Sequence, residues 1–546
     1  MSDTRSEGGV DGVAERVAAT GAAAAPTAAG PNADLLDQRV AELAERYRPL
    51  AVAILKEAIR IPADEVDLPA DEGGDPQSGL SNHEGRRLRF LRDTIVDIGA
   101  VQHADDVGFD AYGNLVWTVT NGFDGVPPEH KKVIYFDGHS DTVQALRDQW
   151  RDKLAGAVDP YDGLSLDVPL APDALRAQLG YVPPQGEWGH LVFGRGSADQ
   201  LAGVVAEVVA TKILLELRDE GALHGCIVRA YATAAEEDND GGGPRHLVAD
   251  VLPGAGPQLI PDVVVLTEGT GDAVKGALGI YRGQRGRMQI EVTVTGRSCH
   301  GSMPAQGLNP LEHGGAILAE AAEQHARGEG MLDHPFLGRG TRTASWSQLD
   351  TPSDCAVPDR FVFRFDRRLT VGETPEAALV QIESLAAVAA ARAAGLTVEV
   401  AVPRYQQRTW LDFPVDNPQI YPGWITPAEH PAVVAAVDAY RRVVTPHVSE
   451  PAGGATAGAL RAEPRVDKWI FSTDGVGFPV PMDDTTIAVP DSKQWVVSGA
   501  VKHPAMFGIG AGIEQNTHRI GECVDERELQ HAVAVLARFP SLFAGG

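Results

Sequence analysis

Four acidic or His-containing clusters in this sequence sit where strands are expected to end and carry side chains able to hold a cation or move a proton. The first is Phe136-Asp137-Gly138-His139-Ser140-Asp141-Thr142. Residues two apart in extended chain project to one face, so Asp141 can reach the imidazole of His139. A carboxylate on a histidine fixes its tautomer and raises its basicity, the usual support for a metal ligand. A loop histidine beside a helix-capping aspartate would read the same way. The second, Gly194-Arg195-Gly196-Ser197-Ala198-Asp199-Gln200, leads into a long apolar stretch. Its glycines permit unusual backbone, and Asp199 projects from the turn either as a ligand or as an N-cap. It matches neither GxGxxG nor a P-loop, and an aspartate in the cradle would repel phosphate. The third is Ala234-Ala235-Glu236-Glu237-Asp238. Adjacent carboxylates at a strand end repel each other unless a cation compensates, in which case one glutamate can ligate while the other acts as base. A solvated acidic turn is the alternative. The fourth is Leu266-Thr267-Glu268-Gly269.

Open α/β sheets bind ligands beyond the carboxyl ends of their strands, and the surrounding pattern predicts such a sheet. Val133–Phe136, Cys226–Ala232 and Val263–Leu266 are short apolar runs separated by helical segments, including Leu201–Leu217. That order suggests a mostly parallel central sheet in an α/β catalytic domain. A first helix is expected over Leu35–Ile61, stopped by Pro62, and another over His430–Val444. Near residue 286 the period changes. Met288–Val294, Phe361–Phe365 and Thr397–Val400 alternate strictly, as strands with one wet face do, with an Ala-rich helix expected over Pro375–Ala394. The expected organisation is a disordered tail over 1–33, a catalytic domain over 34–284 and 406–546, and an inserted α+β domain over 285–405. Residues 478–504, rich in Pro, Asp and Ser, read as a surface loop.

The chain has 546 residues, too many for a single core, and 75 Asp plus Glu against 47 Lys plus Arg, a net charge of -28. Such a charge repels phosphate backbones and anionic membranes, which argues against nucleic-acid or membrane partners. No run of about 18 apolar residues appears, as a membrane span would need. The N-terminus lacks the pattern of a signal peptide. Cys226, Cys299, Cys355 and Cys523 are scattered without a CxxC pair, which fits a reducing compartment and a cytoplasmic location.

In order, His-x-Asp, Asp, Glu-Glu and Glu resemble the M20 family of metallopeptidases and amidohydrolases, which includes aminoacylases, deacylases, desuccinylases and carboxypeptidases. Later segments extend the likeness. Gly296-Arg297-Ser298-Cys299-His300-Gly301-Ser302 resembles the family's lid histidine motif. Phe365-Asp366-Arg367-Arg368 with Gly372-Glu373-Thr374 resembles its Asp-x-Arg…Gly-Glu-Thr stretch, and Gly508–Gly512 followed by His518 its terminal loop and histidine. Ser197-Ala198-Asp199-Gln200, Cys299-His300-Gly301-Ser302 and Asp366–Thr374 are most similar to the YgeY-type hydrolase subgroup. The likeness spans about residues 35 to 545.

This resemblance implies a zinc-peptidase-like catalytic domain, an inserted lid and dimerisation domain, and a homodimer. It implies two divalent ions per chain, most often Zn2+, with Co2+ or Mn2+ also compatible with N and O donors. Asp199 would bridge them, His139 and Glu268 would complete one site, and Glu237 and His518 the other. Asp141 would orient His139, Glu236 would be the general base, and His300 would stabilise the oxyanion. Arg368 is the candidate for a substrate carboxylate, although an ion pair with Asp366 is an equal use for it. The peptide after Asp199 would be cis. The implied reaction is hydrolysis of a small peptide, N-acyl or N-carbamoyl substrate; the alternative is a catalytically silent relative that uses the cleft for binding or assembly. Leu201 and Thr517 depart from residues common in the family, and the segments about 164–189 and 478–504 are additions beside site motifs. HExxH, the signature of a mononuclear zinc protease, is absent.

Overall fold

The computed structural model describes residues 33–63, 83–154, 156, 158–165, 172–237, 241–448, 458–481, 496–498 and 501–545. The tail expected over 1–33 lies outside the described residues except for Ala33, which opens the helix Ala33–Ile59. The chain then lays down β1 (Val107–Phe109), β2 (Leu115–Thr120), β3 (Lys132–His139), β4 (Cys226–Thr233), β5 (Val263–Leu266) and β6 (Ile280–Gln284). A second sheet follows from β7 (Gly286–Thr295), β8 (Thr341–Asp350), β9 (Arg360–Leu369), β10 (Thr397–Ala401) and β11 (Ile420–Tyr421). The first sheet is completed by β12 (Trp424–Ile425), β13 (Val466–Trp469) and β14 (Ala505–Gly508).

In the first sheet the order is β1-β2-β4-β3-β5-β14-β6-β12, with β13 also beside β6. Its centre, β4-β3-β5-β14, is parallel, as expected. The antiparallel pairs lie towards the edges. Every residue of β4 and β5 is buried because both faces are covered; β5 is wholly apolar, and in β4 Arg229 interrupts the apolar run. Ile134, Phe136, Val263 and Val265 pack against the helices Ala33–Ile59, Ala202–Glu216, Pro431–Val443 and Glu526–Gly545. Their neighbours Val133, Tyr135, Val264 and Leu266 enter a separate cluster with Trp424 and Trp469 on the other face. Among the described residues no helix is long and apolar enough to cross a membrane.

The second sheet runs β8-β9-β7-β10, antiparallel throughout, with β11 also on β7. It has its own core, in which Ile290, Val292, Val294 and Phe363 meet Ile317, Ile382 and Val388. The Ala-rich segment differs from expectation, because it forms two helices, Pro375–Glu383 and Ala386–Ala393. Leu385 takes an extended backbone and buries its side chain, and the Glu320 carboxylate accepts from the Ala386 and Ala387 amides, capping the second helix from a distant segment. The loop expected over 478–504 also differs. Its described parts include strands Val480–Pro481, Val496–Ser498 and Val501–His503, with Phe478 and His503 buried; residues 482–495 and 499–500 lie outside the described residues.

One close approach sets the position of the strand end that carries Glu268. A Cβ added at Gly203 would lie 2.2 Å from the Thr267 carbonyl oxygen, so the helix seats directly on the backbone beyond β5. Gly203→Ala should therefore lower stability by about 1–3 kcal/mol, the usual cost of overpacking, as read from a shifted urea midpoint at unchanged slope. An unchanged midpoint would mean that this contact has room to yield.

Candidate metal centre

The parallel strands of the first sheet deliver their carboxyl ends to one place. β3 ends on His139, Glu268 lies two residues beyond β5, Glu236 and Glu237 follow β4, and Asp199 sits in the turn before the helix Ala202–Glu216. His518 arrives from the loop after β14. His139 Nε2 lies 3.1 Å from Asp199 Oδ1 and 3.5 Å from Glu268 Oε2. His518 Nε2 lies 3.0 Å from both Asp199 Oδ2 and Glu237 Oε1. Asp199 thus turns one oxygen toward each histidine. Ligand atoms of His139, Asp199 and Glu268 lie within 4.8 Å of one another, and so do those of Asp199, Glu237 and His518.

Asp141 organises both ends of this arrangement. Its Oδ1 is 3.4 Å from His139 Nδ1, and its two oxygens accept from the Glu236 and Glu237 amides at 3.1 and 3.0 Å. Nδ1 also faces the Asp141 carbonyl at 3.0 Å, an arrangement that leaves Nε2 turned to Asp199 and Glu268. Glu236 Oε2 lies 4.0 Å from His139 Nε2, beside the cluster and outside both triads.

Burial and mutual charge shape the titration of this cluster. Burial holds Glu236 and Glu268 well above the usual carboxylate range, with neighbouring carboxylates adding to the effect. Burial would pull His139 down, but hydrogen bonds to Asp141, Asp199 and Glu268 raise it well above an ordinary histidine. The Glu237 charge does the same for His518. Burial also opposes the ionised Asp199, but the two histidines outweigh it and hold Asp199 low. Three carboxylates and two imidazoles make a donor set of hard oxygens and borderline nitrogens, and it fits divalent metal.

Several supporting residues escaped the sequence reading. Gln200 Nε2 donates to Glu268 Oε2 and to Asp474 Oδ2, both at 2.8 Å, and Thr233 Oγ1 donates to Asp474 Oδ1 at 2.7 Å. Glu522 accepts from the Ala198 and Asp199 amides at 3.0 and 3.1 Å and pairs with buried Arg195. Asn516 exchanges hydrogen bonds with the Tyr181 backbone, so the described part of the 164–189 addition buttresses the His518 loop. A polar residue beside a ligand, as with Gln200, was the available signal; Asp474 had none. The Asp199–Gln200 peptide is cis, the geometry the resemblance implied. Ala235 and His518 both adopt left-handed backbone, a conformation that costs non-glycine residues and that clusters at functional sites.

The two remaining candidates lie on the second sheet's side. His300 is exposed on a two-residue strand paired with Ala356–Val357, and its Nδ1 engages the Ser302 amide and hydroxyl at 3.1 and 2.8 Å. Arg368 forks onto Asp366 at 2.8 and 3.2 Å and reaches Ser472 Oγ at 3.5 Å. The structure brings the five ligand candidates, Asp141 and Glu236 together; His300 is engaged elsewhere, with Ser302.

Comparison with known proteins gives a consistent result. The peptidase dimerisation domain of the M20 type matches residues 282–394. The uncharacterised protein YgeY of Escherichia coli is 30% identical over 468 residues, spanning 84% of this chain and 92% of YgeY. The fold resembles that of the dipeptidase Dug1p from Saccharomyces cerevisiae, with a TM-score of 0.60 at 11% identity over 93% of this chain and 99% of that one. It also resembles YXEP of Bacillus subtilis, described as a dinuclear metal-binding M20 peptidase, with a TM-score of 0.50 at 14% identity over 91% and 98% of the two chains. With an inserted dimerisation domain, a near full-length relative and a shared fold, the chain belongs to the M20 metallopeptidase family.

Proposed function

We propose that this chain is a dinuclear metal-dependent hydrolase that cleaves an amide bond, whether peptide, N-acyl or N-carbamoyl, in a small carboxylate-bearing substrate. The observation that carries the reading is the pair of ligand triads that share Asp199, with Glu236 beside them. In this reading residues 34–284 and 406–546 form the catalytic domain and 285–405 the lid and dimerisation domain. His139, Asp199 and Glu268 hold one ion, and Asp199, Glu237 and His518 the other. Zinc is the favoured metal, with cobalt or manganese as the alternatives that this donor set admits. Ions held there would polarise the scissile carbonyl and activate water at neutral pH.

The chain's own groups do the rest. Asp141 holds His139 in register and, through the Glu236 and Glu237 amides, fixes the two glutamates relative to it. Glu236 takes a proton from the attacking water and returns it to the leaving nitrogen; burial raises its carboxyl above the usual carboxylate range, which favours holding that proton. His300, carried by the lid of the same or a second copy, donates to the developing oxyanion, and Arg368 receives the substrate carboxylate. A homodimer is supported by the matched dimerisation domain and by β8, an edge strand that exposes Trp346 and Leu349. The four unpaired cysteines support a cytoplasmic location.

Two measurements test this reading. Elemental analysis should find about two divalent ions per chain, in line with the paired triads, and Asp199→Ala should lose both metal and turnover. One tightly held ion with full activity would contradict a dinuclear centre. On a panel of N-acyl amino acids, N-carbamoyl amino acids and dipeptides, Glu236→Gln should keep its metal while turnover falls at least about 10²-fold. Glu237→Gln should lose metal, turnover and stability together, because bound metal stabilises the folded state. The opposite pattern would exchange the two roles, and normal turnover in both variants would place the active site elsewhere.

A further inference from the structure

His518 is held less directly than His139. The His139 ring is buried and has its Nδ1 fixed by Asp141. The His518 side chain is 50% exposed, and among the described residues its Nδ1 meets no hydrogen-bond partner. A metal-ligating imidazole is ordinarily oriented through its second ring nitrogen, so without that contact the place of His518 Nε2 depends on its backbone. That backbone is an unusual one. The Arg519 amide donates to the Asn516 carbonyl at 3.3 Å, which closes a turn over Asn516–Arg519. Thr517 has φ -62° and ψ 145° and His518 has φ 61°, the pattern of a type II turn. The third position of such a turn favours glycine or asparagine. A histidine persists there only where its surroundings over-determine it.

The segment over about 164–189 supplies those surroundings on both sides of the turn. Asn516, which opens the turn, is buried. Its Oδ1 accepts from the Tyr181 amide at 2.9 Å, and its Nδ2 donates to the Tyr181 carbonyl at 2.8 Å. Two bonds of opposite sense to one residue fix the side chain in both position and tilt. Beside this clasp, a Cβ added at Gly180 would lie 2.6 Å from the Gln515 carbonyl oxygen, so the two backbones are in contact. After the turn, Ile520 and Cys523 share an apolar cluster with Leu175, Leu179 and Trp188. The loop has other tethers, but they lie before the turn: the Glu514 amide donates to the Gly271 carbonyl and Gln515 accepts from the Ala273 amide, both at 2.9 Å.

We propose that Asn516 is a positioning residue for the metal centre: its clasp on Tyr181 sets the turn that aims His518 Nε2 at Asp199 and Glu237, and the 164–189 segment thereby governs how tightly the second ion is held. The inference rests on the dinuclear reading and adds to it a determinant of affinity that differs between the two ions. His139 and Glu268 are fixed at the ends of the parallel strands through Asp141 and Gln200. Loosening the clasp therefore weakens the ion held by Glu237 and His518 and spares the other, although Asp199 serves both.

The test uses the full-length chain, freed of metal and titrated with zinc against a chromophoric zinc chelator, which reads two stepwise affinities. His518→Ala identifies the affinity that belongs to its site. Asn516→Ala should weaken that same affinity about 10–100-fold, the scale of removing support from a metal ligand, and leave the other unchanged. Gly180→Ala presses on the loop from the 164–189 segment with Asn516 intact. It should weaken the same affinity, and it decides the matter where Asn516→Ala fails to fold. Undiminished affinity in either folded variant, an equal fall in both affinities, or a fall confined to the affinity that His518→Ala retains would overturn the proposal while leaving the dinuclear reading intact. A wild-type chain that binds fewer than two zinc ions contradicts the dinuclear reading itself, and this inference falls with it.

Discussion

Asp199 presents one carboxylate oxygen to His139 and the other to His518, and this two-sided contact is the constraint around which the molecule is arranged. It requires a histidine at the end of β3 and another from a loop more than 300 residues later to meet over one turn. It also gathers Glu236, Glu237 and Glu268 into the same sheltered volume, where like charges in low dielectric are costly. Two groups of His, Asp and Glu ligand atoms in that volume could each hold a cation that offsets this charge.

Much of the surrounding structure follows from holding Asp199 and its neighbours still. Glu522 accepts from the Ala198 and Asp199 amides and is itself neutralised by Arg195, so the backbone of the turn is fixed from below. Asp141 ties the end of β3 to the peptide after β4, and Gln200 ties Glu268 to Asp474. Gly203 lets the following helix rest on the Thr267 carbonyl, which sets the height of Glu268. These contacts join separate strand ends, so the cluster's geometry depends on the whole parallel sheet. The second sheet has its own apolar core.

The parts legible in the sequence were those governed by local pattern. Val263–Leu266 is a strand with the bounds its apolar run predicts, and the switch to strict alternation after residue 286 marks the antiparallel sheet. Carboxylates ending apolar strands were legible too, because a charge at that place needs an explanation. What could not be read was set by contacts between distant segments. Asp474 meets Gln200 across 274 residues, and nothing near Asp474 signals that role. The Ala-rich stretch looked like one helix because alanine favours helix throughout; the break at Leu385 comes from burying that leucine and from Glu320, far upstream, capping the second half. The strands within 480–503 were hidden by a loop-like composition.

Whether two metal sites share Asp199 can be read by X-ray diffraction from crystals of the zinc-loaded protein, with anomalous data collected on both sides of the zinc absorption edge. Two anomalous peaks per chain are expected on either side of the Asp199 carboxylate, one contacting His139 and Glu268 and the other Glu237 and His518. A single peak, or peaks away from Asp199, would contradict that sharing.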